Sequence, residues 1–141
     1  PDSGGRYWAA LGLSMRDSAA VSAARAGLRT ALKDESPSVR VAAARALGRH
    51  GNADDLTLAL SALQELAPPD KNGVFVSLES LTAIEALGDK AEPLREFLRA
   101  MPRNDPNAIE RTTGYVPRLL EHFLGEDAKP AAAKKTRKDK R

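Results

Sequence analysis

A chain of 141 residues with 42% hydrophobic and 29% charged side chains has the size and balance of one globular domain with its own core. It has no cysteine, which excludes disulfides and thiolate chemistry, and only 4% aromatics, with Leu and Ala dominating the apolar set and favouring helix over sheet. The net charge of +3 is unevenly placed: residues 128–141 carry seven basic side chains against one acid, which leaves the preceding 127 residues at −3.

Taken in order, the chain opens with Pro1-Asp2-Ser3 rather than methionine, and a helix is predicted to begin at once, so it reads as an excised fragment. The first amphipathic segment is Gly5-Arg6-Tyr7-Trp8-Ala9-Ala10-Leu11-Gly12-Leu13. A second, capped by Asp17 or Ser18, carries Val21, Ala24, Leu28, Ala31 and Leu32 at helical spacing. The third is the best defined. Ser36 is placed to cap it through its hydroxyl, Pro37 suits its first position, and Gly51 is expected to end it in the left-handed conformation. Between them Val39, Ala42, Ala43, Ala46 and Leu47 form a stripe of mostly small residues that lets another helix approach closely.

The fourth segment, with Asp54 as its expected cap, carries Leu56, Leu60, Leu63 and Leu66. Pro68 to Gly73 reads as a turn, Val76 to Gly88 as a helix, and a further helix is predicted from near Pro93 through Leu94, Phe97, Leu98 and Met101. Pro102 to Asn107 is turn-rich, and Pro117 to Gly125 is the last amphipathic segment. From about Ala128 the composition turns to Ala, Lys, Arg and Pro with no large apolar residue, which predicts a disordered tail at 128–141 after a helical domain at 1–127. There is no apolar run of membrane-spanning length and no signal-peptide pattern.

Val39 to Gly51 overlays Val76 to Gly88 without a gap, and similar frames start at 5 and 117, at spacings of 34, 37 and 41 residues. Such periods belong to helical repeat arrays. The frame Val-Arg-x-x-Ala-Ala-x-Ala-Leu, with an acid six residues before the arginine, resembles a HEAT repeat. The resemblance implies an all-α, right-handed superhelix of about four helix pairs, the first truncated, covering residues 1 to 126. It also implies that Asp34 and Arg40 belong to a ladder between neighbouring repeats. Ser77 replaces the arginine in the third repeat, and Pro117 takes the valine position in the fourth, which is expected to shorten or kink that helix.

A narrower resemblance lies in the order Arg6–Leu13, Ser36–Gly48, Leu81–Ala91 and Tyr115–Arg118, which is similar to the helical C-terminal extension of some bacterial arylsulfatase-type enzymes. It implies a periplasmic or secreted parent. Those enzymes place a Cys or Ser two residues before a Pro and four before an Arg. Ser36 and Arg40 have the outer spacing, but Pro37 follows Ser36 directly, so the nucleophile is not in this chain.

No residues point to catalysis, a cofactor or a metal: His50 and His122 fall in different repeats, and the adjacent acids Asp54-Asp55 and Glu126-Asp127 diverge on a helix. The expected function is therefore a non-catalytic interaction or structural module. It would pack on a catalytic domain of the same polypeptide or, alternatively, act as a free-standing protein-interaction scaffold. The candidate partner-binding residues are Arg6, Tyr7, Trp8, Arg45 and Arg49. Tyr7 and Trp8 suit an interface anchor, although Trp8 also sits where a preceding repeat would pack on it. The arginines, with Arg40 and Arg118, are predicted to line one face, and a HEAT-type nucleic-acid-binding protein is the second alternative. The net negative charge of residues 1–127 argues against it.

Overall fold

A computed structural model describes residues 2–125; the expected tail at 128–141 lies outside the described residues. Seven α-helices follow in order: α1 (Ser3–Ser14), α2 (Ser18–Ala31), α3 (Pro37–His50), α4 (Ala53–Leu66), α5 (Pro69–Leu87), α6 (Arg95–Ala100) and α7 (Tyr115–Leu124). Short 3-10 turns span Gly88–Leu94 and Glu110–Thr112, and no strand occurs among the described residues. The helices pair as α2/α3, α4/α5 and α6/α7, with α1 standing as the second half of a first pair. This is the all-α solenoid read from the repeats.

Helix α3 is the centre. It packs against α1, α2, α4 and α5. Val39, Ala43, Ala44, Ala46 and Leu47 are fully buried, and Ala42 and Val41 nearly so. Small side chains permit this wrapping, because helix axes can then come within ~8–10 Å on several sides at once. Gly48 marks the tightest approach: a Cβ there would stand 2.9 Å from Leu87 Cδ2 and 3.4 Å from Ala59 Cβ.

Several termini differ from the sequence reading. Ser36 is the residue before α3, but its hydroxyl makes no capping bond; its own N–H donates to Asp34 Oδ1 at 2.9 Å instead. Gly51 is extended (φ −78°, ψ −179°), not left-handed. Glycine is required there for room, since a Cβ would run into the Leu47 carbonyl oxygen and the Asp55 side chain. The left-handed terminators are Gly88 (φ 56°) and Gly125 (φ 61°).

Asn52, not Asp54, caps α4, in a reciprocal box with Asp55. Pro69 to Asn72 make a helical turn where a loop was expected, and Gly73 (φ 80°, ψ 162°) kinks the run into the rest of α5. Pro93 falls inside the 3-10 turn, so α6 starts only at Arg95 and has six residues. Its apolar positions still point inward, with Leu94, Leu98 and Met101 buried. Pro117 neither shortens nor kinks α7: the helix begins two residues earlier, at Tyr115, which leaves Pro117 in the first turn where its missing N–H costs nothing.

The packing of α3 makes a direct test. Ala43→Asp places an unpaired carboxylate at a fully buried site between helices and is expected to cost ~3–5 kcal/mol. Thermal unfolding followed by circular dichroism measures this; an unchanged melting temperature contradicts the packing.

Candidate functional site

Two polar junctions fix the relative placement of the helices. At the first, Arg6 of α1 grips Asp34 in a fork, Nε to Oδ2 at 2.6 Å and Nη2 to Oδ1 at 3.0 Å, while its Nη2 also donates to Glu35 Oε1 at 3.3 Å. The Arg6 fork, and next the Ser36 amide, hold the Asp34 carboxyl below the usual carboxylate range. Asp34 thus pairs with the arginine of the preceding frame rather than with Arg40. Arg40 donates its Nε to the Leu32 carbonyl at 2.9 Å, and its Nη2 forms an ion pair with Glu65 Oε2 at 3.0 Å. In the next frame Ser77 Oγ donates to the Ala67 carbonyl at 2.6 Å. Leu32 and Ala67 are the C-caps of α2 and α4, so the serine meets the same need for a donor that the arginine meets.

The second junction escaped the sequence reading. Asp55 is fully buried and accepts three hydrogen bonds on its two oxygens. Oδ2 accepts from Arg25 Nε at 2.9 Å and from the Asn52 amide at 3.0 Å; Oδ1 accepts from Arg29 Nε at 2.7 Å, with Arg29 Nη2 beside it at 2.6 Å as an ion-pair contact. Burial pushes this carboxyl up, but the Asn52 amide and the guanidinium groups of Arg29 and Arg25 outweigh it and hold the carboxyl below the usual range. The local signal was the Asn52-x-x-Asp55 box together with arginines four apart on one face of α2.

The candidate partner residues divide by environment. Tyr7 and Arg45 line one groove of about 310 Å³ formed by α1, α3 and α5, with Leu11, Val41, Leu78 and Thr82. Tyr7 is half-buried and packs edge-on to Trp8 with ring centroids 5.4 Å apart. Arg45 is half-buried, and its Nε is shielded from solvent without an acceptor among the described residues. Glu79, across the groove, is taken by Ser38 Oγ at 2.8 Å. Arg49 is exposed one turn beyond Arg45. Arg6 belongs to the first junction, not to this groove, and Trp8 is 68% exposed, away from it. This is the position where a preceding repeat would pack, and among the described residues no helix covers it.

Among the described residues no three His, Asp or Glu side chains converge as metal ligands would, and no helix is long and apolar enough to cross a membrane.

Asp55 carries a pH prediction. Its folded pKa is depressed, so its contribution is complete above the unfolded value near pH ~4 and is lost as pH falls through the lower folded value. Asp55→Asn keeps the shape and removes the charge. It is expected to cost ~2–3 kcal/mol at neutral pH, a difference from wild type that shrinks below pH ~4. Urea unfolding at several pH values measures both; a pH-independent difference contradicts the charge-based account.

Comparison with known proteins agrees with the architecture. A sequence profile of HEAT repeats matches residues 1–81, which contain α1 to α4 and the first two turns of α5 beyond its kink. No curated protein and no solved structure matches the chain. With the repeat frames, the stacked helix pairs and a profile covering more than half its length, the chain belongs to the HEAT-repeat family.

Proposed function

We propose that this chain is a non-catalytic protein-interaction module that recognises its partner through the groove of α1, α3 and α5. The observation that carries the reading is Arg45. Its half-buried guanidinium stands at the wall of the groove with no acceptor among the described residues, so an acceptor brought in from outside would be its first partner. Tyr7, Leu11 and Leu78 provide the apolar contact beside it. The face is preformed, because α3 is clamped by four helices.

The charge distribution favours a protein over a nucleic acid. Arg6 and Arg40 are engaged by Asp34 and Glu65, and Arg118 stands on α7 outside this groove, so Arg45 and Arg49 are what the expected row brings to it. Two cations beside Glu79 make a poor phosphate track. The finer reading, that the module is the C-terminal extension of a sulfatase-type hydrolase and packs on its catalytic domain, rests on motif order alone. A Cys/Ser-x-Pro-x-Arg motif encoded upstream of Pro1 would support it.

Affinity capture with wild-type and Arg45→Glu baits, quantified by mass spectrometry, tests the groove. A specific partner is expected to fall at least ~tenfold with Arg45→Glu and with Leu78→Glu, and to be retained by Lys71→Glu, a residue that does not line this groove. Partners retained by both groove variants contradict the assignment.

A further inference from the structure

Helices α1, α3 and α5 alternate with α2 and α4 in a series of short-linked hairpins, so the three run in the same direction. At offsets of 34 and 37 residues, Tyr7, Val41 and Leu78 stand at one level of their groove, and Leu11, Arg45 and Thr82 stand one turn further on. Phe75, 70% exposed, shares the face of Leu78 and Glu79 and continues the apolar floor one turn back toward the start of α5. The charges are ordered along the same axis. Glu79 comes first, Arg45 about a turn beyond its level, and Arg49 one turn beyond Arg45. Ser38 Oγ donates to Glu79, and neither Arg45 nor Arg49 has an acidic partner among the described residues.

The walls of this groove are helical. Their backbone groups are bonded within each helix and offer an extended peptide no ladder to join. A segment that satisfies its own backbone, an α-helix, suits such walls, and a cleft of about 310 Å³ takes its projecting side chains but not its backbone. Electrostatics set its direction. The negative, C-terminal poles of α1, α3 and α5 lie together at the Arg49 end, so an incoming helix is favoured with its positive N-terminal pole there, antiparallel to all three. Acids in its first turn suit its own dipole and meet the two guanidinium groups. A base one to two turns later meets Glu79, and apolar residues at helical spacing between them contact Tyr7, Leu78 and Phe75. The reversed helix would set its acids against Glu79 and its bases against Arg45 and Arg49.

Resting on the assignment of this groove as the recognition surface, we propose that its occupant is an amphipathic helix of another protein. That helix is acidic in its first turn, apolar in its middle and basic toward its end, and it lies antiparallel to α3.

Selection from a displayed library of helix-forming peptides of ~20 residues, against the full 141-residue chain, tests the occupant. The enriched sequences are expected to carry acids in the first turn, then apolar residues three and four apart. By fluorescence anisotropy, the Kd of a selected peptide is expected to rise at least ~tenfold with Arg45→Glu. Exchanging the peptide's first-turn Glu for Lys is expected to restore binding to that variant; Arg49→Glu, at an exposed site, gives the same readout if Arg45→Glu folds poorly. A nitroxide on the peptide's N-terminus is expected to broaden amide signals around Arg49 more than those around Phe75. Selected peptides that depend on Arg45 and Leu78 but are basic in the first turn, lack helical spacing or lie in the opposite direction overturn the proposal and leave the groove as the recognition surface. Peptides indifferent to Arg45→Glu, Arg49→Glu and Leu78→Glu overturn the groove assignment with it. An empty selection overturns the helical occupant alone, and affinity capture then decides on the groove.

Discussion

The structure depends on one packing constraint: α3 must accept four neighbours. Val39, Ala42, Ala43, Ala44, Ala46, Leu47 and Gly48 occupy most of its circumference and all lie within the core. A larger residue on any of these sides would push one neighbour out and break the stack on that side. The same constraint decides what remains outside. With the rest of α3 covered, Arg45 and Arg49 are left on the strip that faces away from the core, beside the apolar flanks of α1 and α5. Core and candidate recognition surface therefore follow from one helix.

Polar groups at the junctions are satisfied one at a time. Asp34 takes the Arg6 fork and the Ser36 amide, and Asp55 takes the Asn52 amide and two arginines from α2. The carbonyls at the ends of α2 and α4 accept from Arg40 and Ser77, and the end of α3 accepts from Lys90, whose Nζ lies 2.8 Å from the Arg49 oxygen. Helix ends carry unpaired carbonyls, so a donor from the next element both satisfies them and fixes where that element sits. An arginine and a serine perform this task in successive frames because the need is for a donor, not for a charge.

Much of the fold was legible because repetition and 3.6-residue periodicity are properties of local sequence. The bounds of α3 and the Asp17 cap of α2 are where the pattern puts them. Caps were less legible, since they depend on which amide a side chain reaches: Asn52 displaces Asp54, and the Ser36 hydroxyl reaches no amide of the first turn of α3. Gly51 was assigned the wrong reason, because a crowded turn and a left-handed turn both select glycine. The Asp55 clamp joins residues 26 and 30 apart, a separation that periodicity does not encode. The candidate surface was half visible: Tyr7, Arg45 and Arg49 were named, but the groove's apolar half, Leu11 and Leu78, fell within predicted helices without being singled out.

The central role of α3 is tested most directly by native-state hydrogen exchange resolved by residue. The account places the slowest-exchanging amides in α3 from Ala43 to Leu47, opening only with global unfolding, with α1 and α7 exchanging faster through local opening. Amides of α1 or α7 that outlast those of α3 would contradict it, and would move the organising element away from the alanine-lined helix.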